Sequence, residues 1–179
     1  MMRLFTGVEL SPDAALDLKI MQSGINGARW MDAASFHITL RFIGDIEDGL
    51  GREVAYAMQR LDFRPFSLTL KGLDVFGGKH PHALIVHVAE NEDLRRLQMA
   101  QERVCQSLGL EPESRKFIPH VTLARLRDAD PQDLRNFIES HALYRSKAFE
   151  VKAFHLYSSR PSRGGGPYAI EESYGMVGA

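Results

Sequence analysis

The chain has 179 residues, 44% of them hydrophobic and 25% charged, with 15 Gly and 8 Pro, proportions that exclude disordered, collagen-like and coiled-coil chains. Twenty-two Lys and Arg against 23 Asp and Glu leave a formal charge of −1, too small for bulk electrostatic capture of long nucleic acid, although a local basic cleft fits it. A single cysteine, Cys105, excludes an internal disulfide, and the longest apolar runs, such as Ala83-Leu84-Ile85-Val86, fall far short of the ~18 residues of a membrane span.

Arg3 to Val8 reads as a strand, and Ser11-Pro12-Asp13 supplies an N-cap, a proline for the first turn and an acid for the helix dipole, so a helix runs from about 12 to 23. Glu9 and Pro12 interrupt the N-terminus too early for the apolar core of a signal peptide, and a cytoplasmic monomer in a reducing compartment is expected. Phe36 to Ile43 alternates as a strand, and 52–61 is a helix with Val54, Ala57, Met58 and Leu61 on one face. Phe66 to Phe76 is a strand closed by Gly77-Gly78, and His82 to Ala89 is another. Asn91 caps a helix with Leu94, Leu97, Val104 and Leu108 inward, stopped by Gly109. Phe117 to Leu126 is a strand, Pro131 to His141 a helix, and Phe149 to Tyr157 a last long strand, with Arg160 to Tyr168 a connecting loop whose arginines face an RNA backbone or serve a plain linker.

The succession strand, helix, strand, helix, strand occurs twice. Phe36-His37-Ile38-Thr39-Leu40 and Pro119-His120-Val121-Thr122-Leu123 lie 83 residues apart, as do Phe66 and Phe149, and Leu73 and Leu156. The expected fold is α+β: two pseudo-symmetric lobes, each an antiparallel sheet with flanking helices, forming one domain over residues 1–179 with a cleft between the lobes.

Each copy carries His-x-Thr-Leu within a strand, so a side-chain period of two puts His37 and Thr39 on one face and Phe36, Ile38, Leu40 and Phe42 on the other. His120 and Thr122 share a face in the same way. Pseudo-symmetry brings the two His-Thr pairs together. Two imidazoles, with an ordinary pKa of about 6.5, suit general acid-base catalysis near neutral pH, and two hydroxyls beside them suit the non-bridging oxygens of a phosphodiester. The scheme requires no cofactor and no metal. His80, His82 and His87 cluster in sequence but have the wrong strand parity for a shared metal ion.

The paired motifs, in the contexts Phe36 to Gly44 and Phe117 to Arg125, together with the opening Met-Arg-Leu-Phe and Gly72-Leu73 leading to Phe76, resemble the 2H phosphoesterase superfamily, and within it the bacterial and archaeal RNA 2',3'-cyclic phosphodiesterases, also called 2'-5' RNA ligases. The resemblance implies hydrolysis of a terminal ribose 2',3'-cyclic phosphate to a 2'-phosphate, on RNA ends or cyclic nucleotides. It makes His37 the proton donor to the departing 3' oxygen and His120 the base that activates water; the sequence alone leaves the two interchangeable. It also implies the reverse-type ligation in which a 5'-hydroxyl replaces water, and it matches Arg125 to a phosphate-contacting arginine. Arg125 stands five residues after His120, so it reaches the His120 face only where the strand ends, twists or bulges near Ala124; Arg41, four after His37, has the cleft parity in a regular strand.

Phe42, Trp30 and Phe5 are the candidates for stacking on a terminal base, Phe42 with core parity. Cys105, on the apolar side of its helix, is expected to be a buried thiol, and His141 and His155 to be structural. The same two-histidine chemistry on 2'-5' oligoadenylate or on the cyclic phosphate of ADP-ribose, and a nucleotide- or RNA-binding module without turnover, are the competing functions.

Overall fold

A computed structural model of the chain describes residues 1–159 and 168–178. Its strands are β1 (Met2–Val8), β2 (Ala28–Trp30), β3 (Ile38–Ile46), β4 (Phe66–Leu68), β5 (Leu70–Phe76), β6 (Ala83–Val88), β7 (His120–Leu126), β8 (Phe149–Val151), β9 (Ala153–Ser159) and β10 (Tyr168–Gly175). Its helices are α1 (Pro12–Met21), α2 (Asp48–Met58), α3 (Glu92–Ser107) and α4 (Pro131–Ser140). Ser11 and Asn91 cap as the sequence predicts, accepting from the Ala14 and Leu94 amides, and the structure adds Asp130, which accepts from Gln132 and Asp133. Proline stands in the first turn of α1 and α4, where its missing N–H leaves no bond unmade.

The fold is α+β, with two four-stranded antiparallel sheets in the orders β10-β9-β1-β3 and β2-β7-β6-β5, and a two-stranded β4-β8 ribbon. The 83-residue spacing holds at element level: β8 and β9 begin and end 83 residues after β4 and β5. Each predicted long strand is in fact two, broken at Thr69 and at its equivalent Lys152. Neither sheet is built from one sequence half. The last strand of the first half, β5, pairs with β6, and the last of the second half, β9, pairs with β1. The helices cross over too, with α3 lying against β3 while the segment after α1 reaches β7 through Gln22 Nε2, which donates to the Leu123 carbonyl at 3.1 Å. In the ribbon, Ser67 pairs with its own equivalent, Glu150, so the pseudo-twofold axis passes through that pair. One hydrophobic cluster takes residues from both sheets and from α3, including Leu4, Ile38, Leu84, Leu97, Val121 and Phe154, so burial couples the lobes.

A bulge interrupts each motif strand at the same place. In β3, Thr39 pairs with Gly7 and Arg41 with Thr6, leaving Leu40 extra; in β7, Thr122 pairs with Ile85 and Ala124 with Leu84, leaving Leu123 extra. Leu40 and Leu123 are again 83 residues apart, so the bulges are equivalent. Each extra residue is buried in the core. The freed backbone groups are satisfied: Arg41 N donates to Thr6 Oγ1 at 3.1 Å, and the Leu123 carbonyl accepts from Met31 N at 2.9 Å as well as from Gln22.

Candidate active site

Beyond a bulge the alternation of faces restarts one residue later. His120, Thr122 and Arg125 therefore share one face of β7, and Arg125 joins the cleft that regular parity denies it. The same shift acts on β3 in the opposite sense. It carries Arg41 away from the cleft into a buried position, where its guanidinium pairs with Glu102 and donates to the Glu111 carbonyl at 2.6 Å. It brings Phe42 out of the predicted core face, leaving it 42% exposed. Phe42 and Arg125 are equivalents under the 83-residue spacing, so one bulge geometry turns an aromatic ring out of the core in one strand and a cation in the other.

Between the two sheets lies a cavity of about 530 Å³ lined by His37, Thr39, His120, Thr122 and Arg125, with Phe76 and Tyr168 as its aromatic walls. None of the three stacking candidates lines it. Trp30 pairs across from Ala124 on the core side and packs on Phe137 of α4, ring centroids 5.7 Å apart, and Phe42 stands outside the lining residues. Phe5 is buried under His37, stacked on Tyr157 at 4.9 Å. The aromatic walls were within reach of the same pattern: Phe76 shares parity with Asp74 in β5, and Tyr168 opens a strand rather than closing a loop. Residues 160–167, the rest of that segment, lie outside the described residues.

The two histidines are held alike. His37 Nδ1 donates to the Ser35 carbonyl at 2.8 Å and His120 Nδ1 to the Ile118 carbonyl at 2.6 Å, each two residues back. A proton fixed on Nδ1 leaves Nε2 as the titrating atom of both rings. The Nε2 of His37 is 2.9 Å from Thr39 Oγ1. Phe5 lies under the His37 ring at 4.9 Å, Tyr168 meets it edge-on at 5.1 Å, and Phe76 meets the His120 ring edge-on at 4.8 Å. Burial pushes both imidazoles below their ordinary 6.5, against the carbonyl bonds that raise them; the charge of His120 lowers His37 further, and that of His87 lowers His120. His87 stands directly across the β6–β7 pair from His120 and bonds Asp74 at 2.9 Å.

Arg29 of β2 stands directly across from Arg125, and among the described residues neither guanidinium is salt-bridged. Like charges opposed across a strand pair repel by a few tenths of a kcal/mol or more, an arrangement that favours an anion between them. His87 is engaged with Asp74 while His82 lines the cavity, and among the described residues no group of three or more His, Cys, Asp or Glu is placed to hold a metal ion. Also among the described residues, no helix is long and apolar enough to cross a membrane.

Residues 24–163 match the family model described as the 2'-5' RNA ligase superfamily. The chain is 30% identical over 168 residues to the RNA 2',3'-cyclic phosphodiesterase of Aquifex aeolicus, covering 91% of this chain and 86% of that protein. It is 38% identical over 97 residues to the protein of the same name from Aeropyrum pernix, covering 53% of this chain and 55% of that one. In fold it is similar to TT0787 of Thermus thermophilus and to E. coli LigT complexed with 3'-AMP, each with a TM-score of 0.78 at 21% identity and 98% coverage of both chains. By family model and by relatives along nearly its whole length, the chain belongs to the 2'-5' RNA ligase superfamily, a branch of the 2H phosphoesterases.

Proposed function

We propose that this protein hydrolyses 2',3'-cyclic phosphodiester ends of RNA to 2'-phosphates by metal-independent acid-base catalysis between His37 and His120. The observation that carries the reading is the matched pair of Nδ1-to-carbonyl bonds, which aim two Nε2 atoms into one cavity beside two threonines and a cationic Arg125. The names of the relatives point to the same substrate class.

Neutral His120 takes a proton from water on Nε2, and the water oxygen attacks phosphorus. The bond from phosphorus to O3' breaks, and protonated His37 gives its Nε2 proton to O3', leaving a 2'-phosphate and a 3'-hydroxyl. The two rings then exchange protons with solvent. When His37 is protonated, its Nε2–H donates to Thr39 Oγ1, which frees the threonine hydrogen for a phosphate oxygen. Thr122 and Arg125 take the remaining non-bridging oxygens, where negative charge builds in the transition state. A 5'-hydroxyl in place of water yields a 2'-5' linkage by the same transfers. The assignment of acid to His37 and base to His120 follows the family pattern.

The test is turnover of a short RNA ending in a 2',3'-cyclic phosphate, in EDTA, with the position of the product phosphate resolved. A 2'-phosphate formed by the parent and lost in both His37→Ala and His120→Ala is the expected result. A 3'-phosphate product, a dependence on added metal, or near-normal turnover by either variant refutes it.

A further inference from the structure

A second concavity, of about 800 Å³, adjoins the cavity just described and shares His82 and Leu126 with it. We propose that this groove is the subsite for the nucleotide immediately 5' of the cyclic phosphate end, so that the enzyme is tuned to oligonucleotide ends over cyclic mononucleotides; the inference rests on the catalytic reading above and extends it to substrate length.

The groove has the two surfaces a nucleotide needs. Its floor is apolar, made by Leu134 and Ile138 of α4 with Pro131 and Ala129, a surface on which a base can lie. Its rim carries Lys79, Arg127 and Arg135, of which Arg127 is two residues beyond Arg125. Asp128 and Glu139 also border it, so the cations exceed the carboxylates by one. That balance suits a single phosphodiester and does not suit a long backbone, in keeping with the charge of −1 for the whole chain.

Both walls are held by backbone contacts that only glycine permits. On one side a Cβ added to Gly77 would lie 2.3 Å from the His80 carbonyl oxygen. The turn there closes through His80 N to Gly77 O at 2.9 Å and His82 N to Phe76 O at 2.8 Å, which sets Lys79 and His80 over the groove. On the other side Gly27, at φ +86, lies so close under the chain that an added Cβ would be 2.8 Å from the Ala129 Cα. Arg127 N donates to Gly27 O at 3.1 Å and Asp130 N to Asn26 O at 2.9 Å, and Asp128 takes φ 51 to make the approach. A preformed groove binds without the loss of order that a loop would incur.

A further concavity, lined by Lys116, Phe117 and Arg95 beside His87, shares no lining residue with the catalytic cavity, whereas the Arg127 groove does. Continuity therefore selects the Arg127 side as the path of the strand.

The experiment compares adenosine 2',3'-cyclic phosphate with a dinucleotide and a tetranucleotide ending in the same group, for the parent and for the Lys79→Ala/Arg127→Ala double variant. Stacking on one apolar surface and one phosphate contact predict a rise in kcat/KM of about tenfold from mononucleotide to dinucleotide, and less than about twofold more to the tetranucleotide. The double variant is expected to lose most of the dinucleotide gain and to keep the mononucleotide rate. Equal rates on mononucleotide and dinucleotide in the parent, or an equal loss on both in the variant, overturn the subsite. Calorimetric affinity for a 2'-phosphorylated dinucleotide against the mononucleotide separates this from the catalytic reading. A length-dependent affinity erased by the double variant, in a protein that turns over no cyclic phosphate, upholds the groove and removes the catalysis; turnover with no length dependence in rate or affinity does the reverse.

Discussion

Replacing Arg125 by alanine separates catalysis from folding more cleanly than any other change in the cleft. The side chain is exposed and, among the described residues, makes no salt bridge, and it faces Arg29 across the strand pair. Removing it therefore takes no buried partner away, and the stability change stays within about 0.5 kcal/mol, tilted towards stabilisation by the relieved repulsion. Its proposed role on the phosphate is in the transition state, where loss of one preorganised donor is expected to cost about 2.7–4 kcal/mol, a fall of about 10²–10³ in kcat. Arg125→Lys keeps the charge but loses the bidentate fork, and recovers only part of the rate. The assay is kcat/KM on a cyclic-phosphate RNA beside a thermal melt. Arg125→Ala within about threefold of the parent refutes the phosphate role, and a lowered Tm in step with the lost rate shows that the arginine acts on the fold.

Four further outcomes follow from the geometry. Each single alanine variant at His37 and His120 lowers kcat/KM by at least about a hundredfold, and the double variant is no more than about threefold worse than the poorer single, because both act in one transition state; multiplicative losses contradict this. Both imidazoles are held below 6.5 in the folded protein, chiefly by burial, so the unfolded chain takes up protons first and stability falls as pH drops from 6.5 through the folded values. Urea titrations between pH 7 and pH 5 read that slope, which is shallower in either single variant. Arg41→Ala strands Glu102, which burial alone would raise but which bonds from Gln106, the Glu113 amide and Arg41 hold below its ordinary 4.5; the variant is expected to lose about 3 kcal/mol in the same titration with kcat/KM unchanged. Cys105 is fully buried and its thiol is pushed up to about 11, first by burial, so a thiol reagent labels it only on the timescale of unfolding.

What the sequence made legible was whatever repeats. The 83-residue spacing, read from His-x-Thr-Leu and from Phe66 and Phe149, located the paired strands and the pseudo-axis, because duplication preserves spacing even where side chains diverge. Local chemistry was legible as well: Ser11-Pro12 and Asn91 cap helices through contacts that lie within three residues. Pairing partners were not. Nothing in the order of elements says that β9 belongs beside β1 and β5 beside β6, since an exchange of last strands leaves every local pattern unchanged. The three-residue β2 was likewise unread, being too short to show a period.

The faces of Arg41, Phe42 and Arg125 turn on the extra residues Leu40 and Leu123, and this is where parity arithmetic and structure part. A bulge at Leu40 and Leu123 keeps two successive residues buried and reverses the assignments just after it, until in β3 a second extra residue, Ile43, shifts the register again. Sequence offers only an indirect sign of it, two buried-type residues in a row at Leu123-Ala124 where strict alternation wants one. Duplication makes that sign usable. If β7 bulges so that Arg125 enters the cleft, β3 bulges at the equivalent residue, and Arg41 must leave it. Among the described residues an arginine then lines the cavity once, on β7, while its β3 equivalent Phe42 is exposed outside the lining residues. The scaffold is symmetric in the way it holds its two histidines, each through Nδ1 to the carbonyl two residues back. It is asymmetric just beyond them, where β7 turns Arg125 into the cavity and β3 turns Phe42 to solvent outside it.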